Sequence, residues 1–209
     1  MKIAVFGATG RAGRHLVEQA LAADHEVVAL ARTPAKLSIS DKRLTVIQGA
    51  VQDAAKVEQT ISGVDAVVSV LGPASNAPTF EISQGMQHIL VAMSKHGVQR
   101  LVLAAGAGVG DPNDAPKLVH KAINALLKLL SGNVYEDMKR TVATVRASDR
   151  DWVIVRVPRL TDAPKSGIIQ VGYVGKGMGM QIGRADMVDF MLKQLASDTY
   201  LRKAPAISN

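Results

Sequence analysis

Gly7, Gly10 and Gly13 stand three apart in the stretch IAVFGATGRAGRHLVEQAL. An apolar run of strand type leads into them and an amphipathic run of helical type leads out. The first glycine of such a turn lets the chain bend sharply. The second lets the backbone approach an anion with no Cβ in the way, and the third lets the helix lie close to the sheet. The helix N-terminus then offers unpaired N–H groups and the positive end of its dipole to a phosphate. Thr9 and Arg11 can add hydrogen bonds. The spacing, G-x-x-G-x-x-G, departs from the commonest dinucleotide fingerprint. Its context still points to a dinucleotide, because the turn follows a first strand, opens a first helix and precedes a second strand at the right distance.

The end of that second strand reads ALARTPAKL. Dinucleotide sites ordinarily place an acid here, about 20 residues on, to hold the adenosine ribose 2′-OH. This chain has Arg32 instead, and Lys36 follows it. Two cations suit a 2′-phosphate, which Arg can grip in a fork. NADP(H) is therefore expected over NAD(H).

A third candidate set is YEDMK, which puts Tyr135 and Lys139 four apart on one helix face. A cation beside a phenol stabilises phenolate and so tunes a proton donor. The same spacing also arises on ordinary amphipathic helices. His15, His25, His88, His96 and His120 show no metal-ligand spacing, and no metal is expected. Met178 and Met180 flank Gly179 and suit either a pliable wall over a flat substrate or simple packing. Trp152 opens an apolar strand and reads as core.

The elements that would position these residues alternate. Strands are expected at KIAVF, EVVALA, LTVIQG, DAVVSVLG, RLVLAAG and DWVIVRVP, the last stopped by Pro158. Helices are expected at RHLVEQALAAD, AAKVEQTIS, ISQGMQHILVAMSKHG, APKLVHKAINALLKLL and ADMVDFMLKQLAS. Another runs to Arg146 from a capping box of Asn133 and Glu136. Gly97 is a natural left-handed helix stop. The strands are near-continuous apolar runs, as in a parallel sheet covered on both faces. The expected fold is an α/β, Rossmann-like doubly wound parallel sheet over residues 1–209 as a single domain. A small substrate-side elaboration covers roughly residues 158–209.

Composition sets the outer bounds. The 209 residues are 47% hydrophobic, with no cysteine and a net charge of +7. That excludes disulfides, thiolate nucleophiles and cysteine-bound zinc. No apolar run reaches the roughly 18 residues of a membrane span, and the N-terminus begins directly in strand pattern. A cytoplasmic location and no membrane contact are expected. Aromatics are only 3% of the chain, which leaves no stacking platform for nucleic acid. The basic excess is read as a solvated surface plus a phosphate-bearing cofactor.

The segments FGATGRAG, ARTPAKL, SGVDAVVSVLG, ILVAMSKHGVQRLVLAAG, VRASDRDWVIVRVPRLTD and GRADMVDFML together resemble the atypical short-chain dehydrogenase/reductase superfamily. Within it they resemble the flavin reductase (biliverdin-IXβ reductase) family, nearly end to end. The resemblance implies that Gly7, Thr9, Gly10, Ala12, Arg32 and Lys36 bind the cofactor. It places Ala50 and Val51 near the adenine and Leu71 and Gly72 near the middle of the dinucleotide. Ala105, Gly106 and Pro158, at the ends of the fifth and sixth strands, are expected to complete the site. Walls of the substrate pocket are expected from PASNAPTF, the loop before Tyr135, and RLTDAPKSG.

Three positions depart from the family pattern. Gly49-Ala50 stands where relatives usually carry an acid after the third strand. Ala105 and Gly106 stand where the superfamily commonly has a carbonyl-polarising Ser. Arg159 replaces a His and can hold an anion but cannot act as an acid. The expected activity is hydride transfer from NADPH to a small acceptor of flavin, tetrapyrrole or quinone type, by a monomer or small homo-oligomer. Two alternatives stand beside it. One is a non-catalytic NADP(H)-sensing regulator similar to the nitrogen-metabolite-repression (NmrA-like) proteins. The other is a carbonyl or sugar-nucleotide enzyme using Tyr135 and Lys139.

Overall fold

The computed structural model describes residues 1–73 and 75–209. The chain runs β1 (Lys2–Phe6), α1 (Arg11–Ala22), β2 (Glu26–Ala31), β3 (Leu44–Gln48), α2 (Ala54–Ile61), β4 (Ala66–Ser69), α3 (Glu81–Lys95) and β5 (Arg100–Gly106). It continues through α4 (Leu118–Leu130), α5 (Gly132–Arg146), β6 (Asp151–Val157), β7 (Arg159–Thr161), β8 (Gln170–Gly172), β9 (Gln181–Gly183), α6 (Arg184–Lys193) and β10 (Ala206–Ser208).

Eight strands form one sheet in the order β3-β2-β1-β4-β5-β6-β10-β8. All neighbours are parallel except β8, which runs antiparallel to β10 at the edge. Strand order reverses between β1 and β4, the topological switch point where ligands of such sheets bind.

The apolar strands obey a period of two that the sequence masks. Ile3 and Val5 face one core with Leu16 and Val17 of α1 and Met187 and Met191 of α6. Ala4 and Phe6 face the other, with Val57 of α2, Met86 and Ile89 of α3, and Val142 of α5. Both faces are covered, so both parities of each strand are apolar.

The segment after Pro158 is not only a substrate-side addition. Its helix α6 supplies core residues and β10 joins the main sheet beside β6, while β7 and β9 form a separate two-stranded pair. Trp152 is buried in the core. Gly97 adopts φ +68° just past α3, and the following N–H, of Val98, donates to Met93 O at 2.9 Å.

The capping box expected at Asn133 and Glu136 does not form. Asn133 lies inside α5 and donates through Nδ2 to Asn76 O at 2.9 Å, while Glu136 pairs with Arg140 at 3.2 Å. A distant loop outcompetes the local cap.

Candidate functional site

A cleft of about 490 Å³ opens at the carboxyl ends of β1, β2 and β4. Its floor is the glycine loop. Gly7 has φ +91°, and a Cβ there would stand 2.9 Å from the Val70 backbone. A Cβ on Gly13 would overlap the Gly7 carbonyl oxygen, so only glycine lets α1 pack on the loop.

The helix N-termini around the cleft differ. Asp53 caps α2 by accepting from Lys56 N at 3.1 Å. The Asp137 carboxylate caps α3, accepting from Ile82 N at 3.1 Å and Ser83 N at 2.9 Å. At α1 the N-cap is Gly10, with no side-chain cap and no acid in the first turn. No side chain caps its first N–H groups, which suits a phosphate.

Ten of the expected cofactor residues line this cleft: Gly7, Thr9, Gly10, Arg11, Ala12, Gly13, Arg32, Val51, Leu71 and Gly72. Lys36, Ala50, Ala105, Gly106 and Pro158 do not. Lys36 is exposed in a 3-10 turn, and its carbonyl accepts from Arg14 Nη2 at 3.0 Å. Ala105 is buried in the core. Val51 packs on Gly85 of α3, and its carbonyl accepts from His88 Nδ1 at 3.1 Å. A carbonyl can only accept, so that bond places the proton on His88 Nδ1.

Tyr135 and Lys139 are not brought to the cleft. Asn133, Val134 and Asp137 form the cleft face of α5. Residue 135 is two positions from 133, about 200° around the helix. The Tyr135 hydroxyl donates to Gly108 O at 3.1 Å, and Lys139 Nζ lies 6.0 Å from the phenol ring centroid. Arg159 is exposed just beyond β6, its N–H donating to Met180 O at 3.2 Å. Of the expected wall PASNAPTF, Pro73, Ser75, Ala77 and Thr79 line the cleft, and Ala74 lies outside the described residues.

Sequence reasoning missed Gln52, Arg184 and Asp137 on the cleft wall and Arg14 on the Lys36 carbonyl, while Asn133 and Val134 belong to the wall expected from the loop before Tyr135. Arg184, at the start of α6, is buried and donates to Asp162 Oδ1 at 2.6 Å. Arg11 reaches the other oxygen of Asp162 at 3.2 Å. One carboxylate thus ties the start of α1 to the start of α6 across the mouth of the glycine loop. The segment GRADMVDFML carries Arg184, but nothing local marks it as reaching the cleft.

A doubly wound sheet with a glycine cradle and a bare helix N-terminus at its switch point defines the NAD(P)-binding Rossmann class. The chain matches the NAD(P)H-binding family over residues 7–198 and belongs to it. It is similar to the oxidoreductase aflX of Aspergillus parasiticus, 28% identical over an alignment 168 residues long that covers 73% of this chain and 61% of that protein. The chain spans about three fifths of the length of such curated relatives. A short-chain dehydrogenase/reductase of Veillonella parvula, solved in complex with NADP, has a TM-score of 0.84 at 21% identity, covering 100% of this chain and 94% of that one. ChuY, an anaerobillin reductase of Escherichia coli O157:H7, has a TM-score of 0.79 at 19% identity, covering 100% and 97%. At these identities the likeness is one of fold. Among the described residues, no helix is long and apolar enough to cross a membrane.

Proposed function

We propose that this protein is an NADPH-dependent reductase that delivers hydride to a flat conjugated acceptor of flavin, tetrapyrrole or quinone type. One observation carries the reading: the uncapped N-terminus of α1 opens on a cleft floored by a glycine turn in which Gly7 and Gly13 leave no room for a Cβ, with Arg32 on its wall. The first turn of α1 would hold the diphosphate. Arg32, with Arg14 anchored nearby on the Lys36 carbonyl, would hold the 2′-phosphate. The Veillonella parvula structure's NADP and the reductase activity in ChuY's name support the same reading by analogy of fold.

The reduced nicotinamide supplies the hydride when bound. The protein's part is to orient a planar acceptor against it and exclude water. That task tolerates the loss of a Ser at Ala105 and of a cleft-facing Tyr135. Arg159, exposed beyond β6, would hold an anionic group of the acceptor. Steady NADPH oxidation with added flavin, biliverdin or quinone tests the proposal.

A second reading is favoured by the buried Ala105 methyl and the diverted Tyr135: a regulator that binds NADP(H) without turning it over. Tight NADPH binding with no oxidation by any of these acceptors would select it. Calorimetry that detects no NADPH binding overturns both.

A further inference from the structure

Helix α4 is built inside out. A surface helix ordinarily turns its apolar arc to the core and its polar arc to water. In α4 none of the thirteen residues is buried, and all but His120 and Asn124 are exposed. Asn124 packs on Gly108, and Lys128 places its Nζ 5.0 Å from the Tyr135 ring centroid. At about 100° per residue, His120, Asn124, Lys128 and Lys121 share the side turned to the protein. Opposite them, seven large apolar side chains fill an arc of roughly 180°. Leu118 is 84% exposed, Leu129 82%, Leu130 64% and Leu126 55%.

We propose that this face is the contact between two copies of the chain, with α4 packed against α4 of the second copy about a two-fold axis. Three observations select that occupant. The seven residues expose on the order of 700 Å², the most this arc could bury on each copy, against the roughly 800 Å² each partner gives a standard interface, so flanking surface would supply the rest. The arc carries no charge and needs a neutral apolar complement, which an identical arc supplies in an isologous pair. The helix's lysines lie on the side turned to the protein, where Lys128 sits over the Tyr135 ring, so that side is not the free polar face an interfacial helix offers to anionic headgroups. A face that is apolar whenever the chain is folded also needs a partner that is always present, and a second copy is.

The test is sedimentation equilibrium on the full chain across a concentration series, in low and high salt. The expected result is a mass of twice 22.1 kDa. Association should strengthen with salt, because each copy carries +7. Leu126→Glu, at the centre of the arc, should bring the mass to that of one chain with an unchanged circular dichroism spectrum. The protein has no cysteine, so Leu126→Cys adds a single thiol. Mild oxidation should link it into a dimer, while Glu18→Cys, at an exposed position of α1, should give none. Should Leu126→Glu fail to fold, the wild-type mass and the thiol cross-link still decide. A single-chain mass at every concentration, a dimer that survives Leu126→Glu, or co-flotation with anionic vesicles that Leu126→Glu abolishes would each overturn the proposal.

Discussion

The guanidinium of Arg156, fully buried in β6, grips both carboxylate oxygens of Asp114 at 2.7 and 2.8 Å. Its Nε donates to Ala204 O at 2.7 Å. Asp114 in turn accepts from Asp111 N and Val174 N, both at 2.9 Å. One buried pair therefore joins the loop after β5, the segment before β10 and the loop between β8 and β9. The first of these leaves the carboxyl end of β5, and the second runs alongside β6, where Ile154 N donates to Lys203 O at 3.1 Å. The charges are compensated by geometry: the fork is two-pronged and the remaining carboxylate lone pairs are filled.

Asp114→Asn should cost about 3–5 kcal/mol, because it leaves the Arg156 charge buried and uncompensated. Urea denaturation measures it. The pH dependence has a definite sign. Burial pushes the Asp114 carboxyl up, but the Arg156 guanidinium and the two N–H donors outweigh it and hold it below its usual value. A depressed folded pKa contributes stability above the unfolded value of about 3.9 that is lost as pH falls through the folded one. The wild type should lose stability on acidification below about pH 4, and Asp114→Asn should lose less over that same window.

Gly13→Ala should abolish coenzyme binding and cost about 1–3 kcal/mol by overpacking. The added methyl would overlap the Gly7 carbonyl, and both partners are backbone, so neither can swing away. Gly72→Ala, on the same cleft but with open space at its Cβ, should leave stability near wild type. Thermal melts of both variants, with and without NADPH, make the comparison.

Arg32→Asp should weaken NADPH binding by about 10- to 100-fold, the value of a lost charge-assisted hydrogen bond of roughly 1.5–3 kcal/mol. NADH, which lacks the 2′-phosphate, should bind as before or better. Arg14→Ala should shift the same preference less, and Lys36→Ala least, because Lys36 lies outside the cleft and contributes its backbone carbonyl. Titration calorimetry with both coenzymes reads the ratio directly.

The first half of the fold was legible because its signals are local. The strands at Lys2–Phe6, Glu26–Ala31 and Arg100–Gly106 fall where their apolar runs lie, and the glycine turn sits where its spacing puts it. What was not legible depends on partners far along the chain. The face of α5 that meets the cleft is set by Asp137 capping α3, 54 and 55 residues away. The same packing turns Tyr135 toward Gly108, 27 residues away, and helical spacing alone does not say which face of α5 meets the cleft. Arg184 is recruited through Asp162, 22 residues away, and Arg14 through Lys36, also 22. Helical periodicity marked α4 as amphipathic but carried no information on which arc meets the protein.

Tyr135→Phe separates the reductase reading from a carbonyl enzyme. The phenol makes one hydrogen bond, to Gly108 O, and its ring lies near Lys128 and Lys139 at 5.0 and 6.0 Å. Phenylalanine keeps the ring and its cation–π contacts and removes only the hydroxyl. If the hydroxyl positions the loop after β5, the substitution costs about 0.5–1.5 kcal/mol of stability. Flavin-dependent NADPH oxidation is then expected to stay at the wild-type rate. If instead the hydroxyl donates a proton to a carbonyl in the reacting complex, the rate should fall by about 10²–10⁴. Stopped-flow oxidation of NADPH, read beside a urea melt of the same variant, distinguishes the two. A large rate loss without a stability loss would return Tyr135 to the chemistry.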